Sequence, residues 1–158
     1  MTAVAIDLFC GVGGLTHGLQ LEGLDVVAGL DSDGTCAYAY EHNNKAKFLH
    51  KRVEDIDIEE LRAFYPVGSA RILVGCAPCQ PFSAYTGGKP KDEKWKLLSN
   101  FSAIIDELEP DIVSMENVPR LKSFAKGIVY DDFVGRLVQG RGRACRVSGE
   151  AGGLCRST

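Results

Sequence analysis

No run of eighteen or so apolar residues occurs in this chain, so no segment is long enough to cross a bilayer as a helix. The N-terminus lacks a basic stretch followed by an apolar one, so no secretory signal is expected either. Both absences predict a soluble, unsecreted, cytoplasmic chain without a membrane partner. Histidine is scarce: His17, His42 and His50 show no ligand spacing, and Cys76-x-x-Cys79 has no second Cys-x-x-Cys beside it. No metal site is expected. The six cysteines follow no regular spacing, which speaks against a disulfide scaffold and for a reducing compartment. An excess of basic charge is missing too, with a formal net charge of −3. That excludes a uniformly basic nucleic-acid binder but not a local basic stripe.

What is present reads as one ordinary folded domain: 158 residues, 45% hydrophobic and 25% charged. Apolar runs alternate with helical patterns, which implies an α/β architecture. Val4 to Phe9 forms the first strand and ends in Cys10-Gly11-Val12-Gly13-Gly14, ahead of a helical stretch through Leu15 and Leu19. Strand, glycine turn and helix together suit a cofactor's polar group, because glycine backbone can approach it closely and the helix start offers free N–H groups. A third glycine is lacking, since Thr16 stands there, so a plain tight turn is the competing reading.

Val26 to Leu30 is the next strand and ends at Asp31, placed to take a ribose's hydroxyls. Asp33 is expected to cap a helix from Gly34 to Asn43, with Asn43-Asn44 as left-handed stop residues. Lys45 to Arg52 shows little pattern. Asp57 is expected to cap a helix from Ile58 to Phe64, and the preceding Asp55-Ile56 reads as turn structure beyond a third strand. Ile72 to Gly75 is a buried strand, Leu97 to Leu108 an amphipathic helix, and Ile112 to Met115 a further strand ending at Glu116-Asn117. A last helix spans Tyr130 to Gln139. Beyond it, residues 140–158 are rich in glycine and arginine and are expected to be disordered.

The stretch Gly75 to Gly88, GCAPCQPFSAYTGG, is the chemical centre of the chain. Pro78 and Pro81 hold it extended or turned at a strand's carboxyl end, where open α/β sheets place their ligands. Three readings fit its cysteines: small buried hydrophobes, a redox pair, or a nucleophilic Cys79 beside a structural Cys76 that points into the packing. The lysines at 89, 91, 94 and 96, around Trp95, suit closure over a phosphate backbone or a solvated loop equally.

Pro78-Cys79-Gln80-Pro81-Phe82-Ser83 resembles the PCQ-x-FS loop of the cytosine-5 DNA methyltransferases, and the resemblance extends over residues 3 to about 139. Asp7-Leu8-Phe9-x-Gly11-x-Gly13-Gly14 is similar to the family's S-adenosylmethionine (SAM) motif, and Glu116-Asn117-Val118 to its ENV motif. The resemblance implies a partial doubly wound, Rossmann-like sheet of about five parallel strands with helices on both faces. It implies SAM as cofactor, held by Asp7, Phe9, Gly11, Gly13, Gly14, Asp31, Asp55, Ile56 and Pro78. It implies Cys79 as the nucleophile, Glu116 and Asn117 as its catalytic partners, and Gln80 and Ser83 against the substrate. Double-stranded DNA is the implied partner, along with a cognate restriction endonuclease system and, in a prokaryote, association with the nucleoid.

The family's later strands, its target-recognition domain and its returning C-terminal helix have no counterpart here. The methyltransferase domain is therefore expected to be incomplete over 1–139, and a change of reading frame would produce a tail such as 140–158. Gln139-Gly140-Arg141-Gly142-Arg143 spells the family's Gln-x-Arg-x-Arg motif but leaves no room for the strand that precedes it, and reads as coincidence. The alternatives to an active fragment are a non-catalytic SAM-binding or DNA-associating remnant, and a Cys-x-x-Cys redox protein.

Overall fold

A computed structural model describes residues 2–77, 96–116, 128–139 and 152–156. In chain order the elements are β1 (Ala3–Leu8), α1 (Gly14–Leu21), β2 (Asp25–Asp31), a 3-10 turn (Gly34–Cys36) running into α2 (Ala37–Asn43), and β3 (Lys47–His50). A second 3-10 turn (Val53–Asp55) precedes α3 (Ile58–Ala63), β4 (Ala70–Gly75), α4 (Lys96–Leu108), β5 (Ile112–Glu116), α5 (Ile128–Gln139) and β6 (Gly152–Arg156). The sheet runs β3-β2-β1-β4-β5-β6. Its first five strands are parallel, and β6 pairs antiparallel with β5.

This order follows from the winding of the chain. It moves outward from β1 through β2 to β3, then returns to the other side of β1 to lay down β4 and β5. The winding reverses between β1 and β4, and the loops leaving those two strands diverge there to open a crevice. Alternation along β1 decides which helices cover which face. Val4, Ile6 and Leu8 join Leu30, Leu73 and Val113 beneath Leu61 of α3, Phe101, Ile104 and Leu108 of α4, and Phe133 of α5. Ala5, Val26, Ile72 and Val74 face the other way, under Leu15 and Leu19 of α1. Tyr40 of α2 packs beside Phe48 and Cys10 at the margin of that second face. Helices therefore cover both faces, as expected.

Two helix starts follow local chemistry alone. The Asp33 side chain accepts from the Thr35 backbone N–H at 3.0 Å, and that of Asp57 from the Glu59 N–H at 3.0 Å. Each satisfies a donor that the first turn leaves free.

The structure departs from the sequence reading in three places. The third strand lies at Lys47–His50, within the run that shows little pattern. The stop of α2 is not left-handed: Asn44 is extended (φ −128°, ψ 146°), and its side-chain amide donates to the Tyr40 carbonyl at 2.9 Å. That bond closes the helix end without positive φ. Finally, Gly152–Arg156 forms a strand inside the tail expected to be disordered. The open edge of β5 offers a row of backbone donors and acceptors, and a glycine-rich segment can pair with it on backbone groups alone.

Candidate functional site

β1, β2, β4 and β5 run parallel, so their carboxyl ends share one rim. At the end of β1 the backbone turns sharply. Phe9 takes φ 60°, an uncommon conformation for a bulky residue, and its ring packs edge-on against Phe101 at 6.4 Å between centroids. Gly11 follows at φ 51° and Gly13 at φ 91°.

These two glycines do different work. A Cβ on Gly13 would stand 2.3 Å from the Asn44 side-chain amide and 2.8 Å from the Tyr40 ring, so Gly13 allows α1 to start against α2. A Cβ on Gly11 would meet nothing within 4 Å, and its backbone faces open space that a ligand can enter. The same holds at Gly14, the first residue of α1.

Asp31 ties the ends of β1 and β2 together. Its Oδ2 accepts from the Gly11 backbone N–H at 2.9 Å, and its Oδ1 from that of Asp33 at 2.9 Å. The carboxylate is thus oriented by two backbone donors before any ligand arrives. A carboxylate has roughly four acceptor positions, so capacity remains for hydroxyl donors.

A cleft of about 460 Å³ lies at this rim, lined by Phe9, Leu30, Asp31, Cys76 and Leu97 among others. From the turn before α3 it takes Arg52, Val53 and Glu54; Asp55 and Ile56 follow on the same turn without lining it. Arg52 is ion-paired with Glu54. Apolar walls, an aromatic ring, bare glycine backbone and one oriented carboxylate make a donor set that fits a nucleoside-like ligand.

Asp7 stands apart from the cleft. Although it belongs to the SAM-like motif, its side chain is fully buried on the α1 side of the sheet and does not line the cleft. Alternation along β1 turns it away from the face of Leu8 and toward Thr16, whose hydroxyl donates to it at 2.7 Å.

Cys76 corrects an expectation. It does not point into the packing: half-buried, it lines the cleft, and its thiol donates to Oε2 of Glu116 at 2.7 Å. Glu116, at the end of β5, is exposed on the same rim. The structure therefore brings together Phe9, Gly11, Asp31 and Glu116 of the expected site, and adds Cys76, Leu30, Val53 and Leu97. Strand alternation could have signalled Leu30, but nothing in the sequence signals Cys76's choice of partner. Pro78, Cys79, Gln80, Ser83 and Asn117 lie outside the described residues, as do the lysines at 89, 91 and 94. Among the described residues no cluster of metal-ligating side chains occurs, and no helix is long and apolar enough to cross a membrane.

The family model for C-5 cytosine-specific DNA methylases matches residues 4–139. Over 139 residues the chain is 54% identical to the Type II methylase M.HgiDII of Herpetosiphon aurantiacus, which covers 88% of this chain and 39% of that protein. It is 35% identical over 121 residues to the Type II methyltransferase M.XorII of Xanthomonas oryzae, covering 75% of this chain and 28% of that one. The chain thus spans about two fifths or less of these relatives' length. Among solved structures, the S. pombe Dnmt2 methyltransferase superposes with a TM-score of 0.70 at 15% identity, covering 99% of this chain and 50% of that one. A prophage-encoded DNA modification methyltransferase of E. coli gives 0.69 at 24% identity, covering 85% and 37%. These two likenesses speak for the fold.

Proposed function

The chain belongs to the C-5 cytosine-specific DNA methylase family, and from that premise we propose that its cleft binds SAM and serves methyl transfer to carbon 5 of cytosine in double-stranded DNA. The observation that carries the reading is the convergence of Gly11, Asp31, Cys76 and Glu116 on one rim, around the cleft where the winding reverses.

Bound there, SAM would supply an electrophilic methyl group. The chain's own residues do the rest. Asp31, already oriented by two backbone N–H groups, has lone pairs left for ribose hydroxyls. Gly11 and Gly14 leave the backbone open to a charged methionine end. Asp55 and Ile56 follow the turn that lines the cleft and are assigned to the adenine side. Pro78, two residues beyond Cys76, is assigned to the same pocket.

Carbon 5 of cytosine is a poor nucleophile. Cys79, three residues beyond the rim cysteine, is assigned to add as thiolate to carbon 6, which pushes electron density onto carbon 5. Glu116 is assigned to hold ring N3 and the exocyclic amine, with Asn117, Gln80 and Ser83 around the base. Carbon 5 would thereby form its bond to the methyl group as the sulfonium's bond to it breaks, and loss of the carbon 5 proton to a base then expels Cys79 as thiolate and restores the ring. The cytosine must leave the helical stack to reach this rim. The names of the Type II relatives support a cognate restriction endonuclease as a functional partner.

The test is transfer of radiolabelled methyl from SAM to duplex DNA, by the purified chain alone and mixed with the C-terminal part of M.HgiDII. Methylation on mixing, with little by the chain alone, is expected. No binding of SAM or its demethylated product by calorimetry, in either sample, would remove the reading.

A further inference from the structure

We propose that Cys76 is a positioning residue for Glu116: from the end of β4 its thiol holds the carboxylate at the end of β5 in one orientation across the rim of the cleft. The inference rests on the proposed methyltransferase chemistry only for the use to which Glu116 is put. The contact itself stands on geometry.

One partner is rigid and the other is not. The Cys76 backbone N–H donates to the Leu8 carbonyl at 3.3 Å, extending the β1–β4 ladder by one residue. Just before it, Gly75 packs so closely that a Cβ there would stand 3.0 Å from the Leu8 carbonyl oxygen. The Cys76 main chain is therefore fixed. Glu116 is an exposed side chain with three rotatable bonds, and in isolation it would sample many orientations. A single donor from a fixed neighbour, 2.7 Å from Oε2, selects among them.

The residue type suits the task. A thiol is a weak donor, so it can orient a carboxylate and still yield that oxygen when a stronger partner enters. The arrangement also separates the roles of the two cysteines in Cys76-x-x-Cys79. Cys76 spends its proton on Glu116 and faces the cleft from the strand end, and no second thiol is needed for its role.

Two measurements on the full chain test this. The first is the alkylation rate of each cysteine with iodoacetamide across pH, read by peptide mapping. Alkylation proceeds through the thiolate, and a carboxylate against the sulfur opposes a second negative charge. Glu116→Gln is expected to speed alkylation of Cys76 by about three- to tenfold near neutral pH. Cys36 should keep its rate, and buried Cys10 should stay unreactive as a check that the fold is intact. Should Glu116→Gln expose Cys10, Glu116→Ala, which also removes the charge, replaces it with the same expectation. The second measurement is the γ-methylene NMR shift of Glu116 in glutamate-labelled protein. Cys76→Ala should move it toward the value of a free side chain, and Cys76→Ser, which keeps a donor, should restore it. An unchanged Cys76 rate in the folded Glu116 variant, or an unmoved Glu116 resonance in Cys76→Ala, overturns the proposal. Neither readout uses SAM or DNA, so its failure leaves the methyltransferase reading to be judged on cofactor binding and methyl transfer.

Discussion

The hydroxyl of Thr16 donates to Oδ2 of Asp7 at 2.7 Å, in a fully buried contact that anchors α1 to β1 directly behind the glycine turn. Thr16 has one proton to give, so the Tyr40 hydroxyl, 3.0 Å away, donates to it in turn. A three-residue chain of hydrogen bonds thus joins α2, α1 and β1 beneath the turn that borders the cleft. Its last atom is left short: Oδ1 of Asp7 is buried without a hydrogen-bond partner among the described residues. Burial pushes the Asp7 carboxyl up to about 7; the Thr16 hydrogen bonds oppose the shift, and the charge of Asp31 adds to it.

Stability should therefore fall as pH rises through the range where Asp7 ionises. Its carboxyl titrates near 3.8 when unfolded and at about 7 when folded. The folded state thus holds its proton more tightly, and the stability this provides is complete below the unfolded value and lost by about pH 7. At about 1.4 kcal/mol per pKa unit, the loss is on the order of 4 kcal/mol. Asp7→Asn keeps an acceptor for Thr16 and carries no charge. Urea melts of both proteins between mildly acidic and mildly alkaline pH should show the variant's stability nearly flat where the wild type declines. Parallel profiles would show that Asp7 is not the group responsible.

Two glycines should respond oppositely to a methyl group. A Cβ on Gly29 of β2 would stand 2.3 Å from the Tyr40 hydroxyl, at the end of the same buried chain. Gly29→Ala must push Tyr40 off Thr16 or shift the strand, at a cost of about 1–3 kcal/mol. Gly18 lies within α1 and would place its Cβ in open space. Gly18→Ala should stabilise by about 0.4–1 kcal/mol, chiefly by restricting the unfolded chain. Thermal or urea denaturation at fixed pH measures both.

How much of this was legible in the sequence depends on how local the cause is. The Asp33 and Asp57 caps were, because a cap needs only its own side chain and an N–H two residues on. The long apolar strands were as well. β3 was not: it is four residues long, only Phe48 and Leu49 are buried, and Lys47 and His50 look outward. Pairing with β2 makes it a strand. β6 is likewise created by the edge it joins. At the site, motif letters placed Gly11, Asp31 and Glu116 on one rim, because parallel strands put all their carboxyl ends together. They could not separate Asp7 from them, since burial depends on which face a strand residue takes. Nor could they turn Cys76 toward Glu116, a partner forty positions away.

The end of α4 offers a sharper stability test. Its last carbonyls have no partner within the helix, and two arginines from other elements supply one. Arg71 donates to the Leu108 carbonyl at 3.1 Å and the Glu109 carbonyl at 2.9 Å, while Arg62 donates to that of Glu107 at 2.7 Å. Arg71→Ala should cost about 1.5–3 kcal/mol, the worth of charged hydrogen bonds to partly buried groups. Arg71→Lys should recover little, because an ammonium lacks the planar fork that spans two carbonyls. Glu109 itself sits at φ 53°, so Glu109→Gly should relieve backbone strain of about 1 kcal/mol. Equal melting temperatures for Arg71→Ala and wild type would exclude this capping role.

Cofactor affinity should depend on Asp31 through its remaining lone pairs, beyond its part in holding the turn. Two backbone N–H groups already orient the carboxylate, so the free protein has prepaid most of the ordering that binding would require. Charge-assisted hydrogen bonds to ribose hydroxyls are worth about 1.5–3 kcal/mol, or roughly one to two decades in affinity. Asp31→Ala is expected to weaken binding of SAM or its demethylated product by that amount. It also removes the acceptor of the Gly11 N–H, so a loosened turn could produce the same loss. Asp31→Asn separates the two causes, because its side-chain oxygen can still accept from Gly11 while the charge is gone. If ribose binding is the main term, Asn should bind nearly as weakly as Ala while giving up only the Asp33 N–H contact, which its amide nitrogen cannot accept. If the turn is the main term, Asn should recover most of the affinity. Equal affinity for wild type and Asp31→Ala by calorimetry would take Asp31 out of the cofactor site.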